Sequence, residues 1–232
     1  MFYLLCGLLL IDALRLRGRA KAIPRLDDGV TAPRVADVEF FLAPGVVLSD
    51  AARSQACAYL ENHGLAAVDL WPETLSAPVL FSLFARFDAV AARKDRLAPF
   101  AGPGHAVAVR RDLLERMGTP APPKSVTDVQ RIVDRARDFA TSGVDAAVVQ
   151  GMNALPERAQ DRRELLSLAL HGRAGGVVAL QVFLLGIVLF AFGAGTGGML
   201  FLVLFHAQVM LALAGTPFAV RAWLPFALLR VP

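Results

Sequence analysis

Leu65-Ala-Ala-Val-Asp-Leu-Trp71 reads as a buried strand, a short apolar run closed by Pro72, which cannot donate to a continuing ladder. The segments around it alternate between helix and strand. Upstream, residues 37–42 form a short β-like run. Ser49 can cap a helix over 50–62, and Gly64 supplies its stop. Downstream, residues 79–97 follow a helical pattern, very apolar at first and then charged. Residues 106–109 form a short strand, and residues 111–117 a helical piece closed by Gly118. Ser125-Val-Thr-Asp128 resembles a capping box with Asp in the place of Glu, and it opens a helix that runs to about residue 140. Residues 144–150 form another strand, and Pro156 starts an amphipathic helix rich in Arg and Leu. This order predicts a layered α/β domain over 17–155 with a mostly parallel sheet.

The chain beyond that domain has a different character. Val177 to Gly215, VVALQVFLLGIVLFAFGAGTGGMLFLVLFHAQVMLALAG, contains no formally charged side chain. The break Gly193-Ala-Gly-Thr-Gly-Gly198 divides it into two apolar runs of roughly twenty residues, each about long enough to cross a ~30 Å hydrocarbon core as a helix. The expectation is a transmembrane hairpin over 174–215, preceded by an interfacial helix over 156–173 and followed by an interfacial tail over 216–232. Residues 1–16 are apolar as well and are expected to be an N-terminal membrane helix, although Asp12 lies inside them.

The placement of basic residues sets the expected topology. Arg15, Arg17, Arg19, Lys21 and Arg25 follow the first apolar segment, His171 and Arg173 precede the hairpin, and Arg221 and Arg230 flank Trp223. By the positive-inside tendency, the N-terminus faces out, the main domain is cytoplasmic, and the chain sits in an inner membrane. The formal charge of +4 and the 56% hydrophobic content fit lipid contact better than nucleic-acid binding. Cys6 and Cys57 are the only cysteines, and His63, His105, His171 and His206 are scattered, so no metal site is expected from these residues.

Four stretches, taken in order, resemble the second half of membrane-bound family 2 glycosyltransferases. The similarity is to the lipid-directed type, such as ceramide glucosyltransferases and hopanoid-associated glycosyltransferases. The first is Val38-Glu-Phe-Phe-Leu-Ala-Pro-Gly-Val-Val-Leu-Ser-Asp50, where the family's strand ends in a D-x-D-type motif. The second is Gly102-Pro-Gly-His-Ala-Val-Ala-Val-Arg-Arg-Asp-Leu-Leu-Glu-Arg-Met-Gly118, similar to a glycine-rich turn, a short strand and an R-R-x-x-L-x-x-x-G helix. The third is Val126-Thr-Asp128, in the place of the family's E-D pair, and the fourth is Gln160-Asp-Arg-Arg163, in the place of its Q-x-x-R-W element.

The resemblance implies a partial GT-A-like domain and assigns roles to single residues. Asp128 stands where the family has its catalytic base. Arg110, Arg111, Gln160, Arg162 and Arg163 stand where acceptor, phosphate or headgroup contacts are made. His206 and Gln208, polar residues inside the last apolar run, are read as contacts to a partner helix. The departures define the expected function. The strand end carries Ala43 and Pro44 where a metal-bound diphosphate wants carboxylate oxygens, and no Trp follows Arg163. Few residues precede Asp37 to hold a nucleobase.

The expectation is a membrane-anchored glycosyltransferase-like protein with a degenerate donor site, acting as a non-catalytic or accessory component. It would contact membrane lipid and a membrane protein partner. It would bind a divalent metal and a nucleotide sugar only if a partner chain completes the donor site. Two alternatives stand beside it: an active lipid-directed glycosyltransferase working with a partner chain, and a structural subunit of a larger membrane complex.

Overall fold

The computed structural model describes residues 2–26, 37–75, 77–95, 97–153, 204, 207–208 and 210–218. The chain opens with helix α1 (Phe2–Lys21) and continues through β1 (Val38–Leu42), α2 (Asp50–Asn62) and β2 (Ala67–Pro72). Helices α3 (Ala77–Arg86) and α4 (Ala89–Lys94) follow, then β3 (Ala106–Arg110), α5 (Arg111–Met117), α6 (Val126–Phe139) and β4 (Val144–Val149). Helices α2 and α5 occupy the ranges expected from their caps. Ser49 Oγ accepts from the Ala52 amide at 3.2 Å, and Gly118, with φ 74°, ends α5. The single helix expected over 79–97 is two helices. Asp88 leaves the helical region and accepts from the amides of Val90 and Ala91, which starts α4 afresh.

The four strands among the described residues lie in the order β1-β3-β2-β4. Only β2 and β4 are parallel, while β3 runs antiparallel to both β1 and β2. The expected mostly parallel sheet is therefore corrected to a small mixed sheet. The path of residues 97–105 gives the reason. This segment climbs beside α6, with Arg137 donating to the carbonyls of Ala98 and Asp95 at one end. Higher up, Gln130 accepts from the Gly102 amide and donates to the Phe100 carbonyl. The chain thus reaches the end of the sheet where β2 finishes, and β3 can only descend.

Every residue of β2 and β4 is buried, as expected for strands covered on both faces. Asp69 pairs in register with Ala146 and so shares a face with it, while Asp145 points the opposite way. Tyr59 of α2 reaches Asp145 on one face. Gln130 of α6 and the Gly102 loop lie over Asp69 on the other. Trp71 anchors the core on that second face, with its ring centroid 5.2 Å from Phe87 and 6.0 Å from both Phe84 and Phe218.

Among the described residues, no helix is long and apolar enough to cross a membrane. This corrects the transmembrane part of the expected fold class and the inner-membrane location with the N-terminus out. One face of the first segment's apolar surface has another use in α1, while Leu8, Leu10, Ile11 and Leu14 stay exposed. Cys6, Ala13, Leu16 and Ala20 recur at helical spacing and are buried in the fold. Asp12, Arg15, Arg17, Arg19 and Lys21 lie on the same helix. Arg19 docks it to the rest of the chain by donating to the Phe84 carbonyl at 2.8 Å and pairing with Asp88 at 3.4 Å.

The expected interfacial helix over 156–173 lies outside the described residues, as does most of the expected hairpin over 174–215. The described end of that hairpin packs inward, with Ala212 and Leu213 buried in the core together with Phe218 just beyond it.

Candidate functional site

Three of the four motif stretches meet at one end of the sheet. At the end of β1, the Ala43 amide donates to the His105 carbonyl at 2.8 Å, joining the first stretch to the second. The chain then turns through Pro44 and Gly45, whose φ of 85° suits glycine. Asn153 clamps this turn: its Nδ2 donates to the Gly45 carbonyl at 3.0 Å and its Oδ1 accepts from the Val47 amide at 2.6 Å. Gly104 joins the second stretch to the third. It has a φ of 65°, and a Cβ there would collide with the Val126 carbonyl oxygen.

The chemistry of this junction is poor in free acids. Ala43 and Pro44 carry no side-chain oxygen where the strand ends. Glu39 lies mid-strand, Asp37 at the opposite end of β1, and Asp50 in the first turn of α2. Among the described residues, no group of three His, Cys, Asp or Glu side chains could hold a metal ion. A metal-bound sugar diphosphate does not fit this donor set.

Asp128 is committed to the start of α6. Its Oδ2 accepts from the Lys124 amide at 2.9 Å, its Oδ1 accepts from Arg131 Nη1 at 2.8 Å, and its own amide donates to Ser125 Oγ at 3.2 Å. These bonds, the Lys124 amide first, hold the carboxyl below its ordinary range. A carboxylate stabilised in this way is a weak proton acceptor.

The remaining sequence-derived site residues lie elsewhere. Arg110 and Arg111 stand at the far end of β3 from the junction, about 14 Å along a strand that rises ~3.4 Å per residue. Arg110 pairs with Asp112 at 3.4 Å, and Arg111 opens α5 exposed to solvent. Gln208 is buried, and its Nε2 donates to Asp12 Oδ2 of α1 at 2.8 Å. The helix it contacts is thus the chain's own. Gln160, Arg162, Arg163 and His206 lie outside the described residues.

Two polar centres were not anticipated. Asp69 is fully buried; its Oδ2 accepts from Trp71 Nε1 at 2.7 Å, and its Oδ1 has no hydrogen-bond partner among the described residues. Burial pushes its pKa up to about 7, against the lowering effect of the Trp71 bond. Gly102 leaves room for this carboxylate, because a Cβ there would collide with it. On the opposite face, Asp145 accepts from Tyr59 Oη at 2.8 Å and from Arg93 Nε at 2.9 Å. Burial, and then the Asp145 charge, push the Tyr59 hydroxyl pKa upward. The signal for both centres was a single Asp within each of two otherwise apolar strands, LAAVDLW and VDAAVV.

The fold and junction together define a small mixed α/β domain whose loops converge at the end of β1. No protein-family model, no curated protein and no solved structure matches the chain.

Proposed function

We propose that this chain is a glycosyltransferase-like domain that does not transfer sugar and serves as a non-catalytic accessory partner of another protein. The observation that carries this reading is the junction at the end of β1. Three stretches that resemble family 2 glycosyltransferase motifs meet there, yet the strand end offers Ala43 and Pro44 in place of carboxylates. Asp128, in the position of the base, is spent on the start of α6.

A turnover assay tests it. The purified chain and its Asp128→Asn variant are incubated with UDP-glucose and Mn²⁺, and released UDP is measured. Both are expected to stay at the no-protein background. Release above background by the native chain that the variant loses contradicts the proposal.

The second reading, an active transferase completed by another chain, is favoured by one observation. β1 is an edge strand, and its ladder with β3 engages the backbones of Asp37 and Ala43. By the antiparallel alternation, the amides and carbonyls of Val38, Phe40 and Leu42 face outward, where no described strand pairs with them.

A further inference from the structure

A cavity of about 750 Å³ opens at the end of the sheet where β4 begins, opposite the junction at the end of β1. Its volume lies within the ~300–1,000 Å³ typical of small-molecule sites. Lys21, Arg93 and Arg137 line it, and among the described residues that line it Asp145 is the only acid. That acid is already enclosed. Arg93 Nε bridges both its oxygens at 3.0 and 2.9 Å, Tyr59 Oη donates to Oδ2, and the Ala146 amide donates to Oδ1 at 2.8 Å.

Two cationic groups remain open to a ligand. Arg93 Nη2 is held by the Ala22 carbonyl at 3.1 Å, which fixes the guanidinium plane, and no described residue engages Nη1. Lys21 is exposed at the rim at the end of α1. A guanidinium held by its own ion pair and an exposed ammonium on the same cavity are both suited to a phosphate. The same cavity has an aromatic wall, formed by two rings tilted 35° to each other. The rings of Tyr59 and His63 lie 4.2 Å apart between centroids, and the His63 ring nitrogen Nδ1 sits 3.0 Å from the Tyr59 carbonyl.

We infer that this cavity binds an organic phosphate that carries a planar ring, of the size of a nucleoside monophosphate. Its phosphate lies between Lys21 and Arg93, and its ring lies against Tyr59 and His63. Neither the strand-end junction nor its motif residues take part, so the inference stands apart from the proposed function.

Calorimetric titration of the full chain with UMP, uridine and inorganic phosphate at low salt tests it. UMP is expected to bind with a submillimolar Kd, at least about tenfold more tightly than either fragment. Lys21→Ala and His63→Ala, both at exposed positions, are each expected to weaken UMP at least about tenfold, and the thermal midpoint of Lys21→Ala without ligand stays unchanged. Absence of saturable UMP binding, equal affinity for UMP and uridine, or variants that bind like the native chain would each overturn the inference.

Discussion

Replacing Asp69 by asparagine is expected to shift the stability difference in the variant's favour as the pH rises from about 4 through 7. The buried carboxyl has a folded-state pKa of about 7, against 3.8 for its ordinary value. A raised pKa means that the folded chain holds this proton where the unfolded chain has released it. The stabilisation from protonated Asp69 is complete below about pH 4 and is lost as the pH climbs through about 7. Over that window the native chain loses on the order of 4 kcal/mol, at 1.36 kcal/mol per pKa unit.

Asparagine is close in shape and can still accept the Trp71 Nε1 bond, but it has no charge to bury. Its unpartnered amide nitrogen costs about 1–3 kcal/mol at any pH, so the slope rather than the absolute difference carries the prediction. Urea unfolding of native and Asp69→Asn chains near pH 4.5 and pH 8 measures it. The difference between them should move in favour of the variant by several kcal/mol. Parallel stability curves would show that Asp69 reaches water.

Gly104→Ala is the second large effect. An alanine at a φ of 65° costs about 1–2 kcal/mol by itself. The new methyl must also displace the Val126 carbonyl in the first turn of α6, which adds about 1–3 kcal/mol. Together these cost about 2–5 kcal/mol, and hydrogen exchange should quicken first in the turn that Ser125 caps. Gly64→Ala provides the comparison. Its φ of 60° is as unfavourable, but nothing lies within 4 Å of the added carbon. It should lose only the backbone contribution. Equal losses in the two variants would mean that the turn and α6 are not in contact.

The sequence made the local elements legible because their ends carry side-chain signals. Ser49 and Ser125 cap α2 and α6 as their spacing suggested, and Gly118 closes α5. The break between α3 and α4 had a signal too, in Asp88 ahead of three small or apolar residues, but the continuous helical period across it concealed the cap. The direction of β3 was not legible. It depends on side chains of α6, Arg137 and Gln130, binding the backbone of a loop some thirty residues earlier, and no local pattern encodes that path.

Hydropathy misled at α1 for a related reason. It reports that residues are apolar without reporting what covers them. Here the fold itself covers Cys6, Ala13, Leu16 and Ala20. Three of the stretches singled out in the sequence are neighbours in the fold. The committed state of Asp128 was not, since the Lys124 amide and Arg131 that hold it are ordinary surface residues in the sequence.

The end of β1, with Ala43 and Pro44 at the strand end, is expected not to hold a metal-bound sugar diphosphate. Calorimetric titration of the purified chain with UDP-glucose and with GDP-mannose, each with and without Mn²⁺, tests that claim directly. Adding Mn²⁺ is expected to produce no gain in affinity for either donor. A micromolar Kd that appears only with Mn²⁺, and is lost in Asp128→Asn, would contradict it.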